Sequence, residues 1–123
     1  MEAWIHAKSS VKKWGGKRSD YLEIHKQMDH SKCAHASMKH RLIFHSSYGL
    51  YLICAIFGET IINSDGKEVG VKEIAEQHII EDLGRIPSLD EWLKEVKLQD
   101  WMGRPYKKKE TLKNALRIIK RIC

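Results

Sequence analysis

The spacing of hydrophobic and polar residues predicts a chain that is mostly helical. A helix is expected from about Tyr21 to Asp29, because Ser19 or Asp20 can accept hydrogen bonds from the free N–H groups of its first turn. A further helical stretch begins near Ser31 and extends to Phe57. The segment DHS before it is a plausible cap but not a breaker, so the pattern allows one helix or two.

Residues 42–57 are densely apolar, which predicts a helix that is buried on most sides and forms the central element. Gly58 is expected to end it. The earlier stretch KSSVKKWGGKRSDY, residues 8–21, is predicted to be a loop, because Gly15 and Gly16 break any helix.

The spacing of apolar residues is no longer helical after Gly58. In TIINSDGKEVGV, Asp65-Gly66 lies between two short β-prone runs, which predicts a hairpin with a type I′ turn and positive φ at both central residues. A lone two-stranded hairpin is only marginally stable, so it is expected to pack on the helices.

Three more helices follow in the pattern. VKEIAEQHIIEDLG is amphipathic and stops at Gly84, and IPSLDEWLKEV begins with a capping box in which Ser88 and Glu91 satisfy each other's backbone N–H groups. KKKETLKNALRIIKRIC carries an apolar stripe on a basic helix. The predicted fold is therefore mainly α, a compact helical domain with one small β-hairpin inserted around Asp65-Gly66. Residues 1–103 form the domain, and 104–123 form a basic amphipathic helix packed on it or extending from it.

Composition restricts the class of protein. A chain of 123 residues fits one soluble domain, and it has no apolar run of about 18 residues that would span a membrane. The first residues lack the apolar core of a signal peptide, and an odd count of 3 cysteines favours a reducing compartment. We therefore expect a cytoplasmic protein.

The net charge of +6 is unevenly distributed. Residues 1–18 carry +4 and residues 104–123 carry +7, which leaves −5 for residues 19–103. Basic ends can bind nucleic acid, an anionic membrane surface or an acidic protein, although they can also serve only for solubility. The candidate contacts in the C-terminal segment are Lys107, Lys108, Lys109, Arg117, Lys120 and Arg121. The apolar stripe of the same helix could instead form a homodimer contact; it comprises Leu112, Leu116, Ile119 and Ile122.

Seven histidines raise the expectation of a metal site. Two pairs share the spacing of a histidine followed four residues later by an aspartate: His25 with Asp29, and His78 with Asp82. Residues at this spacing lie on one helical face, so each pair can bind one divalent ion, or the carboxylate can orient the histidine. Mixed nitrogen and oxygen ligands suit zinc, iron or manganese.

His40 and His45 are five residues apart and would point in different directions on an ideal helix, so both can bind one ion only if the helix is distorted. The predicted metal ligands are His25, His40, His45, His78 and Asp82. The remaining candidates are expected at the surface; they are His6, His30 and His35. The alternative for the ligand set is a group of buried His–Asp pairs that tie helices together.

A bound divalent ion would favour hydrolysis, because it activates water and polarises a phosphoryl or carbonyl oxygen. Asp82, Asp29 or Glu81 could act as general base, and Arg41 with Lys39 could hold a phosphate group.

Three stretches together resemble a family of small uncharacterised proteins from bacteria and their phages: AKSSVKKWGGKRSDYLEIHKQMD, KHRLIFHSSYGLYL and EQHIIEDLGRIPSLDEWL. The resemblance covers residues 3–103. Its signature positions are His25, Asp29, His40, Arg41, His45, His78, Asp82 and Gly84. The resemblance implies a shared site and a bacterial cell or phage-infected host, but it brings no function.

Two functions follow as hypotheses. The first is a metal-binding helical protein that hydrolyses a phosphorylated or nucleotide-like substrate. The second is a non-enzymatic, phage-encoded binding module that uses its basic ends on nucleic acid or a host defence protein, with the histidines as structural residues.

Overall fold

The computed structural model of the protein describes residues 1–103 and 116–120. The helices are α1 (Ala3–Trp14), α2 (Leu22–Met28), α3 (Arg41–Phe44), α4 (Ser47–Phe57), α5 (Val71–Leu83) and α6 (Leu89–Leu93). Short 3₁₀ turns lie at Arg18–Asp20, His30–Cys33, Met38–His40 and Asp100–Met102. The strands are β1 (Thr60–Ile62) and β2 (Glu68–Gly70), which pair antiparallel. The predicted fold, mainly α with one small hairpin, is confirmed.

The first helix corrects the sequence prediction, because residues 8–14 are helical and not part of a loop. The helix ends at Gly15, whose φ of 84° is readily available only to glycine. Its buried face consists of His6, Ala7 and Ser10. Because two of these three residues are polar, the apolar period that marks a helix is missing from the sequence.

The sequence suggested that Ser19 or Asp20 would cap α2, but Asp20 does not do so. Its carboxylate accepts hydrogen bonds from the backbone N–H groups of Lys17 and Ser64 and from the Ser64 hydroxyl. The N-cap position of α2 is Tyr21, which makes no side-chain cap, and Asp29 lies just beyond the helix. Asp20 thus links the end of the first loop to the hairpin.

The helical stretch predicted from Ser31 to Phe57 is separate from α2 and is broken twice. Residues 34–37 are not helical, and the chain turns again at His45 and Ser46 between α3 and α4. The Ser46 hydroxyl accepts the N–H of Gly49 at 3.2 Å and so caps α4. A Cβ atom at Gly49 would overlap the carbonyl oxygen of Phe44, so this corner requires glycine.

α4 is not the deeply buried central helix that its apolar sequence predicted. Tyr51 is 76% exposed and Ile56 is 52% exposed, and the inward face is formed by Gly49, Leu50 and Ile53. α5 takes the central position, because it contacts α1, α2 and α4. It ends at Gly84 in the left-handed region, and the capping box of Ser88 and Glu91 begins α6; both predictions are confirmed.

The hairpin lies where the sequence predicted it, with Ile61 opposite Val69. Its turn is not type I′. Gly66 alone among the loop residues has a positive φ, 79°, and its N–H donates to the carbonyl of Asn63. A type I′ turn would require positive φ at Asp65 as well.

The described part of the basic C-terminal segment, residues 116–120, is helical and exposed throughout. The expectations for the lysines at 107–109 and for positions 112, 121 and 122 lie outside the described residues. Among residues 1–103 and 116–120, no helix has the length and apolar character needed to cross a membrane.

Candidate metal centre

Four of the histidines and aspartates singled out from the sequence meet at one point inside the helical domain. They are Asp29, His45, His78 and Asp82, which we call the four-residue cluster. Each can offer one ligand atom within 4.8 Å of the other three. Asp29 follows α2, His45 follows α3, and the other two lie on α5. Residues 53 positions apart in the chain thus reach a common centre.

The distances between the histidine nitrogens and the carboxylate oxygens of the cluster scatter around the spacing that a tetrahedral ion requires. His45 Nε2 lies 2.8 Å from one oxygen of Asp82 and 3.8 Å from one oxygen of Asp29. His78 Nε2 lies 3.3 Å and 3.4 Å from those same two oxygens. A zinc ion with bonds of about 2.0–2.1 Å would separate its tetrahedral ligands by about 3.3–3.4 Å. Only small side-chain movements would be needed to bind such an ion.

The carboxylates of the cluster are poorly hydrated. The side chain of Asp82 is 2% exposed and that of Asp29 is 15% exposed. Burial would raise the pKa of Asp82, but hydrogen bonds from His45, His6 and His78 outweigh it and hold the pKa far below its usual value. Two carboxylates therefore remain ionised in a site that needs positive charge to balance them.

The two histidines of the cluster respond differently to this surrounding. Burial lowers the pKa of His45 more than its hydrogen bond to Asp82 raises it. Burial also opposes protonation of His78, but its hydrogen bonds to Asp29 and Asp82 prevail, so its pKa is raised. Of the two histidines, His78 is therefore the one whose surroundings more strongly favour binding of a cation, whether a proton or a metal ion.

His25, a predicted ligand, does not reach the four-residue cluster and lies behind His78. The two rings face each other through Nδ1 atoms that are 2.9 Å apart, and both residues are fully buried. Burial and the neighbouring His78 and His6 lower the pKa of His25 to about 2. The predicted pair of His25 and Asp29 therefore holds His78 from both sides, since Asp29 faces its other nitrogen.

His6 was expected at the surface, and the structure corrects this expectation, because its exposure is 0%. Its Nδ1 lies 2.7 Å from Glu81, and its Nε2 lies 3.2 Å from the second oxygen of Asp82. Its ring stacks on His78 with centroids 3.7 Å apart. His6, Ala7 and Ser10 have the spacing of residues that share one helical face. This spacing is the one sequence signal that could have predicted the burial of His6.

His6, His25 and His78 also lie close enough together to suggest a second ion site. Their geometry does not favour one. The rings of His6 and His78 are inclined by only 27°, and those of His6 and His25 by 21°. Imidazole lone pairs lie in the ring plane, so stacked rings direct them side by side and not toward one point. The four-residue cluster is the better candidate for a metal site.

His40 and Arg41 lie beside the cluster. The Nδ1 of His40 lies 2.9 Å from the Ser31 hydroxyl, its ring is 6.3 Å from that of His45, and it is not among the grouped ligand atoms. Arg41 has an amino group 3.9 Å from Asp82, while its Nε is buried without a hydrogen-bond partner in the described part of the chain. His40 and His45 were expected to bind one ion together only if the helix were distorted. The helix is distorted here, but only His45 reaches the four-residue cluster.

The other predicted positions lie outside the cluster. His30, His35 and Lys39 are exposed, and the first two were expected to be. The Glu81 side chain is 24% exposed and contacts His6, not the cluster. A surface groove of about 770 Å³ runs along α4 between Ser47 and Lys72 and is separate from these residues.

Comparison with known proteins gives a family but no activity. No curated protein and no solved structure matches the chain. A family model described as "Domain of unknown function (DUF6915)" matches residues 1–102, which include the whole four-residue cluster. Since this match spans most of the sequence, the protein belongs to the DUF6915 family of domains of unknown function.

Proposed function

We propose that this protein binds one divalent transition-metal ion in the four-residue cluster and uses it to hydrolyse a small phosphorylated substrate. The observation that carries the proposal is the convergence of two imidazole nitrogens and two carboxylate oxygens from three parts of the chain. Four ligand atoms with near-tetrahedral spacing are typical of zinc, and manganese or iron could use the same set.

The charges of the cluster support a bound cation over a purely structural His–Asp network. Asp29 and Asp82 both keep a pKa below the usual value, so the site carries two negative charges. Arg41, at 3.9 Å, is the one arginine that contacts these carboxylates in the described residues. A divalent ion would neutralise both carboxylates and would remove most of the penalty of burying them.

The surrounding residues suggest how the chain would serve a reaction. A metal ion at this centre would lower the pKa of a bound water and polarise a phosphoryl oxygen. Asp29 has the more exposed carboxylate of the pair, so it is the better candidate to leave the ion, open the fourth position to water and accept a proton from that water. Arg41 has an amino group 3.9 Å from Asp82 and, within the described residues, an Nε without a hydrogen-bond partner, so it would hold the phosphoryl group.

Metal content tests the proposal directly. Protein purified without chelator or affinity metal should contain about one zinc, iron or manganese ion per chain by elemental analysis. His78→Ala should remove the ion, because it deletes the central nitrogen ligand. His35→Ala is the matched control, since that histidine is exposed and outside the cluster. Absence of metal from the wild-type chain, together with no uptake of added zinc, would refute the site.

Hydrolysis needs its own test. The metal-loaded protein should release phosphate from at least one member of a panel of phosphomonoesters and nucleotides, and chelation should stop the release. A metal-loaded protein that turns over none of them would leave a metal-binding protein without this activity.

A second proposal concerns the basic C-terminal segment, which we infer binds an acidic partner such as nucleic acid. Arg117 and Lys120 are exposed, and the neighbouring Leu116 and Ile119 are 56% and 55% exposed. This combination of charge and uncovered apolar surface favours a contact surface over a segment packed on the domain. It is compatible with a metal centre in the same chain.

A further inference from the structure

A chain of buried hydrogen bonds leads away from His78 on the side opposite the carboxylates. His78 contacts His25 through the two Nδ1 atoms at 2.9 Å, and His25 Nε2 lies 2.8 Å from the Ser10 hydroxyl. The Ser10 hydroxyl in turn donates to Oε1 of Gln77 at 2.6 Å. His78, His25 and Ser10 are fully buried and Gln77 is 8% exposed, so water does not compete for these bonds.

The order of donors and acceptors along these hydrogen bonds is fixed at the Gln77 end. The side-chain nitrogen of Gln77 faces the backbone carbonyl of His6 at 3.0 Å and the carboxylate of Glu81 at 2.8 Å. A carbonyl has no hydrogen to give, so the amide must present its NH₂ group there and its oxygen to Ser10. The Ser10 hydroxyl also faces the backbone carbonyl of His6 at 3.1 Å, which likewise can only accept. Ser10 must then donate its single hydrogen to Gln77 or to this carbonyl, and not to His25.

The remaining donors and acceptors follow in order. Because the Ser10 hydrogen is used, its oxygen accepts the Nε2–H of His25. A neutral imidazole has one N–H, so Nδ1 of His25 carries a lone pair and accepts the Nδ1–H of His78. Nε2 of His78 then faces the oxygens of Asp29 and Asp82, 3.4 Å and 3.3 Å away, and donates to them when it carries a proton. Without that proton, Nε2 and the two carboxylate oxygens are three acceptors that repel one another unless a metal ion lies between them.

We propose that the chain from His25 through Ser10 to Gln77 keeps a hydrogen on Nδ1 of His78, so that Nε2 is the nitrogen that binds the metal ion in place of a proton. This inference rests on the proposed metal site and assigns a role to residues that do not touch the ion. His25, Ser10 and Gln77 are positioning residues. Partners of this kind behind a ligating histidine typically change metal affinity by about 10–100-fold.

The tautomers can be read directly. Long-range ¹H–¹⁵N correlation spectra of the ¹⁵N-labelled full chain, recorded at mildly alkaline pH with and without zinc, distinguish protonated from bare imidazole nitrogens. His25 should be protonated at Nε2 and bare at Nδ1 in both samples. His78 should be protonated at Nδ1 when zinc is bound. A His25 ring protonated at Nδ1 would overturn the proposal.

Metal affinity gives a second readout. Ser10→Ala removes the acceptor for His25 and should weaken zinc binding about 10–100-fold, while Ser10→Thr, which keeps the hydroxyl, should restore most of it. Ser31→Ala is the matched control, because Ser31 is also a buried serine bonded to a histidine, His40, but lies outside the cluster. It should bind zinc as the wild type does.

The outcomes separate the two proposals. Equal losses in Ser10→Ala and Ser31→Ala, or no loss in either, would overturn the role of the hydrogen-bond chain while leaving the metal site in place. A wild-type protein that takes up no zinc would refute the metal site instead. The spectrum of the metal-free protein would then still show whether His25 has the assigned tautomer, including when Ser10→Ala does not fold.

Discussion

His45 Nε2 and Asp82 Oδ2 lie 2.8 Å apart, although 37 residues separate them in the sequence. The backbone of His45 is held in turn by Trp92, whose indole N–H donates to its carbonyl at 3.0 Å. A metal ion bound to His45 Nε2 would take the place of the proton in the bond to Asp82. The cluster therefore has two arrangements, one closed by hydrogen bonds and one closed by an ion, and zinc should favour the folded chain that contains it.

Zinc should raise the thermal stability of the metal-free protein, because it binds the folded cluster and not the dispersed ligands of the unfolded chain. Free zinc at 100 times its dissociation constant would add about 2.7 kcal/mol to the free energy of unfolding. His45→Ala should abolish most of this increase, and His30→Ala, which changes an exposed histidine, should leave it intact. Thermal unfolding with and without zinc measures the effect. An equal zinc response in all three proteins would contradict it.

The metal-free protein should lose stability as the pH falls below about 6.5, the ordinary pKa of an unfolded-chain histidine. Burial lowers the pKa of folded His25 to about 2, so between these values only the unfolded chain takes up this proton. The free energy of unfolding should therefore fall by about 1.4 kcal/mol per pH unit from this group alone. His78 acts in the opposite sense, because its pKa is raised and its stabilisation is lost as pH rises.

Denaturant unfolding in chelator between about pH 7 and pH 5 measures this dependence. His25→Gln should reduce the slope by about one proton, and His35→Gln should not change it. A slope that is unaltered in His25→Gln would show that this histidine is not the group responsible.

The outline of the fold could be predicted because several signals are local. The hairpin glycine, the stop at Gly84 and the box of Ser88 with Glu91 each depend on neighbouring residues, and the structure contains all three. The first helix could not be predicted in this way. Its buried face carries His6 and Ser10, whose burial is stabilised by hydrogen bonds to distant partners on α5.

The candidate site shows the same division. The spacing of His78 and Asp82 correctly indicated one helical face, and both reach the cluster. Spacing gave no means of separating His25 from His45, because the difference arises from how α2 packs on α5 and from the turn that follows α3. His25 points to the back of His78, whereas the turn after α3 brings His45 to the front. Such distinctions depend on tertiary contacts, which a single sequence does not contain.

Gly49→Ala should destabilise the protein and weaken zinc binding, because its Cβ would overlap the Phe44 carbonyl at the turn that positions His45. Overpacking of this kind costs about 1–3 kcal/mol, and backbone displacement can add to it. Gly70→Ala is the control, since the nearest atoms to its Cβ belong to the Glu73 side chain at 3.4 Å and beyond. Denaturant unfolding and zinc titration should show a large loss in the first variant only. Equal stability of the two would contradict the close approach at Gly49.

Arg41→Gln should lower the turnover of a phosphorylated substrate much more than it lowers metal content. The arginine lies 3.9 Å from Asp82 but is not a metal ligand, so its charge is available for a phosphoryl group. Losing one charged hydrogen-bonding group at a phosphate would cost about 1.5–3 kcal/mol, or roughly 10–100-fold in kcat/KM. Arg85→Gln removes an arginine that pairs with Glu91 on the surface, and it should leave both quantities unchanged. Parallel loss of metal in Arg41→Gln would assign the residue a structural role instead.

Reversal of the charges at Arg117 and Lys120 should weaken binding to nucleic acid without affecting the metal centre. Both side chains are exposed on the helical turn 116–120, far along the chain from the cluster residues. If both contact phosphates of a duplex, Arg117→Glu with Lys120→Glu should reduce the slope of log K against log salt by about 2, since each phosphate contact contributes about 0.9. Fluorescence anisotropy with labelled duplex DNA at several salt concentrations measures the slope.

Lys12→Glu with Lys13→Glu, at the exposed end of α1, changes the net charge equally and serves as the control. If both double variants lower the affinity by the same amount, the effect follows total charge and not a C-terminal contact surface.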